Sequence, residues 1–241
     1  MDSVITIPAL DDNYIYLYRY ETDKAFVVDP GEAEAVTGAL RQNKLLLSHI
    51  LITHNHYDHT AGAERLRGST GARLTDASDP DIKGVDIESI PTPGHTADSV
   101  CFLVKTQGDS PDILFAGDTL FTGGCGRPMG SSPATMWNSL NSIAKLPEDT
   151  RIYPGHNYTA ENYEFALTID PDNEAIKDEL KRVQKLDAEG IPAVPSTIGQ
   201  EKKLNIFLRS GEPEIKKLLN MTGAAADEVF TELRQRKNIF G

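Results

Sequence analysis

The chain has 241 residues, 39% of them hydrophobic, and a formal net charge of −12 that lies almost wholly within residues 1–165. That length can bury one large core, or a medium and a small one, without covalent staples, and the acidic balance excludes a non-specific binder of nucleic acid or of an anionic membrane. No apolar run approaches the roughly 20 residues that a membrane-spanning helix needs. No signal peptide is expected, and Cys101 and Cys125 lack the spacing of a thiolate metal site, so both are read as structural residues of a cytoplasmic protein.

The opening is strand-like. Residues 3–8 alternate, Asp11-Asp12-Asn13 reads as a turn, 14–20 are rich in aromatic and β-branched residues, and 25–28 form a short apolar run closed by Asp29-Pro30-Gly31. A helix is expected over 32–43, its acidic start suiting the positive end of the helix dipole. The next strand, 48–53, runs directly into a histidine cluster, after which a helix begins at Asp58 or Thr60. Strands follow at 72–74, 85–90, 100–106 and 113–116, then a glycine-rich loop over 123–130, a helix over 133–145 and a strand over 150–153. Beyond about residue 160 the pattern turns helical, over 160–168, 173–189, 214–221 and 226–236. Two units are therefore expected, a layered α/β catalytic domain over 1–165 and a helical domain over 166–241, packed together because no low-complexity linker separates them.

The chemistry is concentrated at strand ends. His54, Asn55, His56, Tyr57, Asp58 and His59 place three imidazoles and a carboxylate in one tight turn, an arrangement that suits zinc or iron, since both take nitrogen and oxygen ligands. Three further candidates end strands elsewhere: His95 after Pro93-Gly94, Asp118 after Ala116-Gly117, and His156 after Pro154-Gly155. His49, inside an apolar strand, reads as an ordinary packed histidine. Asp29 reads as a turn cap or as an acceptor orienting a ligand histidine. Seven ligands favour two divalent metals over one, with Asp118 joining them and a hydroxide between them as nucleophile. Catalytic roles are accordingly expected for Asp58 and Asp118. No Gly-x-Ser-x-Gly nucleophile motif competes.

Thr53-His54-Asn55-His56-Tyr57-Asp58-His59 resembles the Thr-His-x-His-x-Asp-His signature of the metallo-β-lactamase superfamily. Ile7-Pro8-Ala9-Leu10-Asp11-Asp12-Asn13-Tyr14, Gly117-Asp118-Thr119-Leu120-Phe121, Gly123-Gly124-Cys125-Gly126-Arg127, Gly155-His156-Asn157-Tyr158-Thr159 and Asn205-Ile206-Phe207-Leu208-Arg209 extend the likeness along nearly the whole chain to the glyoxalase II, or hydroxyacylglutathione hydrolase, family. The resemblance implies a four-layer αββα sandwich with a C-terminal helical domain. It implies that His54, His56 and His95 hold one metal, that Asp58, His59 and His156 hold the other, and that Asp118 bridges, with zinc the expected metal and iron or manganese as alternatives. It further implies hydrolysis of S-(2-hydroxyacyl)glutathione thioesters, chiefly S-D-lactoylglutathione, with Arg127, Tyr158 and Arg209 binding the substrate. A monomer is expected, since the helical region can bury its apolar stripe against its own catalytic domain. The chain departs from the family pattern at Met129, where many relatives have an aromatic residue, and at Asn157, where many have glutamate. Other readings on the same scaffold are hydrolysis of another ester, a lactone or a phosphodiester, use of a different low-molecular-weight thiol, or a one-iron sulfur dioxygenase. A non-catalytic thiol-binding protein is the reading from a different class.

Overall fold

The computed structural model describes residues 3–240. Two mixed sheets face each other. The first carries β1 (Val4–Ala9), β2 (Asn13–Arg19), β3 (Lys24–Val28), β4 (Leu46–Leu51) and the short β5 (Arg73–Leu74) in that spatial order, with α1 (Ala33–Asn43) leading from β3 into β4, and α2 (Tyr57–Thr60) and α3 (Ala63–Thr70) leading from β4 into β5. β1 to β3 pair antiparallel, and β3, β4 and β5 pair parallel. The second sheet uses β6 (Asp86–Pro91), β7 (Val100–Lys105) and β8 (Ile113–Gly117); a two-stranded hairpin of β9 (Leu120–Phe121) and β10 (Gly124–Cys125) follows, then α4 (Pro133–Ile143) and β11 (Arg151–Pro154). With β12 (Ser196–Thr197) its order is β12-β11-β8-β7-β6.

Side-chain alternation divides the core into layers, because successive residues of a strand face opposite sides. In β2, Tyr14 and Tyr16 turn inward to meet Phe102, Phe115 and Tyr153 of the second sheet. Ile15 and Leu17 turn outward against Val36, Leu40 and Leu66 of α1 and α3. In β8, Phe115 faces inward while Leu114 and Ala116 face Met136 and Leu140 of α4. The resulting order is helix, sheet, sheet, helix.

The chain continues through α5 (Thr159–Ile169), α6 (Glu174–Ala188), α7 (Ile198–Leu204), a 3-10 turn (Leu208–Gly211), α8 (Pro213–Leu218) and α9 (Ala226–Asn238). Phe207, Phe230 and Leu233 belong to the same apolar cluster as Leu114, Met136 and Leu140, so the helical region adds to the outer face of the second sheet. The boundary expected at 165/166 falls inside α5. α7 was absent from the sequence expectations although Thr197 caps it, accepting from the Gln200 amide at 3.2 Å. The Thr-x-x-Gln spacing is the signal that would have found it.

The helical region also grips the β9–β10 hairpin, which the sequence presented only as a glycine-rich loop. Gly123, at φ 71°, makes the turn. Asn162 donates to the Thr122 carbonyl, Asn205 to the Phe121 and Gly124 carbonyls, and Arg234 to the Cys125 carbonyl. The Gly123 amide donates to Glu201 at 2.8 Å. Burial pushes the Glu201 carboxyl up to about 7 from 4.5, against the lowering effect of its donors.

The folded protein therefore keeps a proton on Glu201 that the unfolded chain releases near 4.5, and stability falls as pH rises through the window from about 4.5 to about 7. Glu201→Gln removes that loss. Its melting temperature relative to the parent should rise by several degrees between pH 5 and pH 8; a difference that stays constant with pH would show that Glu201 does not titrate in this way.

Candidate metal centre

Four loops bring the predicted ligands to one edge of the sandwich. The loop after β4 carries His54, His56, Asp58 and His59; those after β6, β8 and β11 carry His95, Asp118 and His156. Asp29, which follows β3, adopts φ 52°, a left-handed conformation that costs a non-glycine residue about 1–2 kcal/mol. Its carboxylate accepts from the Thr53 amide at 2.7 Å and the Thr53 hydroxyl at 2.6 Å, and it takes the His59 Nδ1 proton at 3.1 Å. The strain thus aims an acceptor at the back of a ligand histidine.

The seven residues fall into two groups. In one, His54 Nε2 and His95 Nε2 lie 3.1 and 3.0 Å from His56 Nδ1; in the other, His59 Nε2 and His156 Nε2 are 3.1 Å apart, and each is 3.3 Å from Asp58 Oδ2. Asp118 lies between them, 3.4 Å from His95 Nε2, 3.4 Å from His156 Nε2 and 3.5 Å from His59 Nε2. Nitrogen atoms at about 2.0–2.1 Å from a tetrahedral ion stand roughly 3.3 Å apart, so this spacing is that of donors converging on cations. The buried Asp118 Oδ1 has no hydrogen-bond partner, and an unsatisfied carboxylate oxygen is costly without a ligand. Both groups therefore fit divalent metal ions. Asp29 also lies within reach of His54 and His59, but its oxygens are occupied by Thr53 and His59.

The opposite ring nitrogens of His54, His59, His95 and His156 are held by the protein, which fixes the tautomer and aim of these imidazoles. His95 Nδ1 donates to the Arg127 carbonyl at 2.9 Å, His156 Nδ1 lies 2.7 Å from Asp12 Oδ1, and His54 Nδ1 lies 3.0 Å from the Thr53 hydroxyl. Asn13 donates to Asp58 Oδ2 at 2.9 Å. In the sequence Asp12 and Asn13 form a turn and part of the family-like opening segment, with no role in the site; they reach it because Asn13 bridges to His156 across the two sheets.

In the metal-free protein, burial lowers the His54 pKa to about 4, with the neighbouring His59 adding to the effect. Burial acts on His59 in the same direction, but hydrogen bonds to Asp29 and Asp58 outweigh it and raise its pKa to about 11. Asp118 is pulled down to about 2 against its own burial, by its hydrogen bond to His156 and the charges of His59, His156 and His54. Asp118 is thus ionised and ready to receive a cation.

The centre forms the end of a pocket of about 480 Å³ whose lining includes Phe121, Arg127, Met129, Tyr158, Arg234 and Lys237. The Tyr158 ring stacks on His156, with centroids 4.8 Å apart and an interplanar angle of 5°. Burial, then the charges of Asp12, Asp118 and Asp58, raise its pKa, so it stays a hydroxyl. Arg127 is exposed on the pocket rim. Arg209 is elsewhere. It is 5% exposed, donates to Asp170 at 3.0 Å and to Glu212 at 2.9 Å, and does not line the pocket. Its guanidinium is committed to tying the end of α5 to the 3-10 turn. Arg234 and Lys237, on α9, supply cations where the sequence reading expected Arg209; only their helical spacing of three hinted at a shared face.

The sandwich and its paired histidine–carboxylate groups define a metal-dependent hydrolase of the metallo-β-lactamase fold, with a dinuclear centre and an added helical region. Residues 9–75 and 70–156 match the family described as "Metallo-beta-lactamase superfamily", and residues 157–240 that described as "Hydroxyacylglutathione hydrolase C-terminus". The chain belongs to the hydroxyacylglutathione hydrolase family. It is 40% identical to the hydroxyacylglutathione hydrolase of Bradyrhizobium sp. (strain ORS 278), covering 95% of both chains, and 39% identical to that of Shewanella loihica, covering both in full. The crystal structure of ETHE1 from Myxococcus xanthus superposes with a TM-score of 0.66 at 22% identity, over 98% of this chain and 91% of that one, which is a likeness of fold. Among the described residues no helix is long and apolar enough to cross a membrane.

Proposed function

We propose that the protein hydrolyses the thioester of S-(2-hydroxyacyl)glutathione, chiefly S-D-lactoylglutathione, to glutathione and D-lactate. The observation that carries this reading is the juxtaposition of the two ligand groups sharing Asp118 with a pocket that presents Arg127, Arg234, Lys237 and Tyr158. Glutathione carries two carboxylates, and guanidinium and ammonium groups on the pocket wall are their natural partners. Family membership supports the thiol carrier.

We assign His54, His56 and His95 to one metal, Asp58, His59 and His156 to the other, and Asp118 to both. Zinc suits this nitrogen-rich set best, and iron and manganese also tolerate it. When bound, such a pair supplies Lewis acidity and lowers the pKa of water. The chain's own groups do the rest. Asp12, Asp29 and the Arg127 carbonyl hold His156, His59 and His95 in their tautomers. The Tyr158 hydroxyl donates to the peptide of the carrier, and Arg127 and Arg234 receive its carboxylates. Water oxygen is added to the acyl carbon, the carbon–sulfur bond breaks and the thiol departs through the pocket. Arg209 supports this site indirectly, through the helix it anchors. The two free, buried cysteines suit the reducing cytoplasm, and we take the protein to be a monomer.

The test pairs metal analysis of the purified protein with its rate on S-D-lactoylglutathione, with and without a chelator. About two metals per chain and a chelator-sensitive rate are expected. A reconstituted protein that leaves the thioester intact would refute the reading, while cleavage of the same acyl group only from another thiol would refute the carrier.

A further inference from the structure

Lys237 enters the pocket already partnered. Its side chain is 9% exposed, its ammonium pairs with the Glu161 carboxylate, and it lies 5.1 Å from the Phe240 ring centroid and 5.9 Å from that of Phe165. Glu161 is on the first turn of α5, three residues past Tyr158; its side chain is 51% exposed and lines the same pocket. The other two cations differ. Arg234 donates to neutral acceptors, the Cys125 carbonyl and the Asn238 amide oxygen, and Arg127 has no carboxylate partner among the described residues. One of the three positive charges facing an incoming carboxylate is therefore already neutralised.

A purely structural role for the pair is the competing explanation, since it joins α5 to α9. Partly exposed ion pairs contribute little to stability, however, and the two aromatic rings hold the Lys237 stem whether or not Glu161 is charged.

We propose that Glu161 sets the pocket's selectivity for its thiol carrier, as an internal carboxylate that must share or yield Lys237 whenever a carboxylate-bearing carrier binds. It weakens the capture of anionic carriers and, by the same contact, speeds release of the anionic thiol product. This rests on the glutathione-thioester reading.

The experiment compares the parent and Glu161→Gln on S-D-lactoylglutathione and on the lactoyl thioester of uncharged N-acetylcysteamine. Glu161→Gln should lower KM for the glutathione ester, and the inhibition constant of free glutathione, by about 2- to 5-fold, the range that one partly exposed pair commands. KM for the uncharged ester should not move, and the gain should vanish in a Lys237→Met background. An unmoved or raised KM on the glutathione ester would overturn the inference; a raised one would assign Glu161 to the carrier's ammonium group instead. If the metal-loaded parent does not cleave lactoylglutathione, the functional reading and the inference fall together, whereas cleavage with an unmoved KM overturns only the role of Glu161.

Discussion

Asp118→Ala should reduce kcat/KM by roughly 10²- to 10⁴-fold and leave the purified protein with at most one metal. The magnitude is that of removing one member of a buried charged set, about 3–5 kcal/mol. Asp118 is 7% exposed and stands within 3.5 Å of His59, His95 and His156, so its loss leaves two groups of imidazoles facing one another with no anion between them. Asp118→Asn separates charge from shape. The amide fills the same volume but turns N–H donors toward a site that needs acceptors, so it should lose metal almost as completely. Metal analysis after dialysis, together with thioester turnover, gives the answer; two retained metals in Asp118→Ala would remove the residue from the bridging position.

Gly155→Ala should have the second largest effect although it alters no ligand. A Cβ there would lie 2.3 Å from Asp118 Oδ1 and 2.8 Å from His59 Cε1, closer than non-bonded atoms approach. The backbone cannot retreat, because the Gly155 amide donates to Gly117 at 2.9 Å and its carbonyl accepts from Tyr14 at 2.8 Å. Overpacking of this kind costs about 1–3 kcal/mol of stability, and displacing the bridging carboxylate by an ångström should cost about 10²-fold in rate. The expected outcome is a folded protein, with a melting temperature several degrees lower, that binds metal substoichiometrically. Full metal content at an unchanged rate would mean that Asp118 can move without consequence.

The strands that deliver the ligands were legible because inward and outward residues alternate along them, as Tyr14 to Leu17 do in β2, and because each strand ends in a turn-forming residue. Short or irregular pieces were not. β12 is two residues long, β10 lies inside what reads as a glycine loop, and α7 has seven residues, too few for a hydrophobic period to repeat. Arg209 shows the limit for single charged residues. Its place in the sequence resembles that of a substrate-binding residue, but the acidic groups that surround it, Asp170 and Glu212, are set by how the helices pack.

What the sequence by itself determined was the class of chemistry: three imidazoles and a carboxylate in six residues, with a histidine or aspartate after three further strands as candidates to join them, point to a metal site. Only the tertiary structure decided what orients those residues and what faces them. Asp12 and Asn13 touch His156 and Asp58 across more than 40 positions of chain, Arg234 and Lys237 arrive from the last helix, and Glu161 meets Lys237 76 positions away. Contacts of that range leave no local pattern, because a periodicity reports which face a residue takes and not which residue it will meet there.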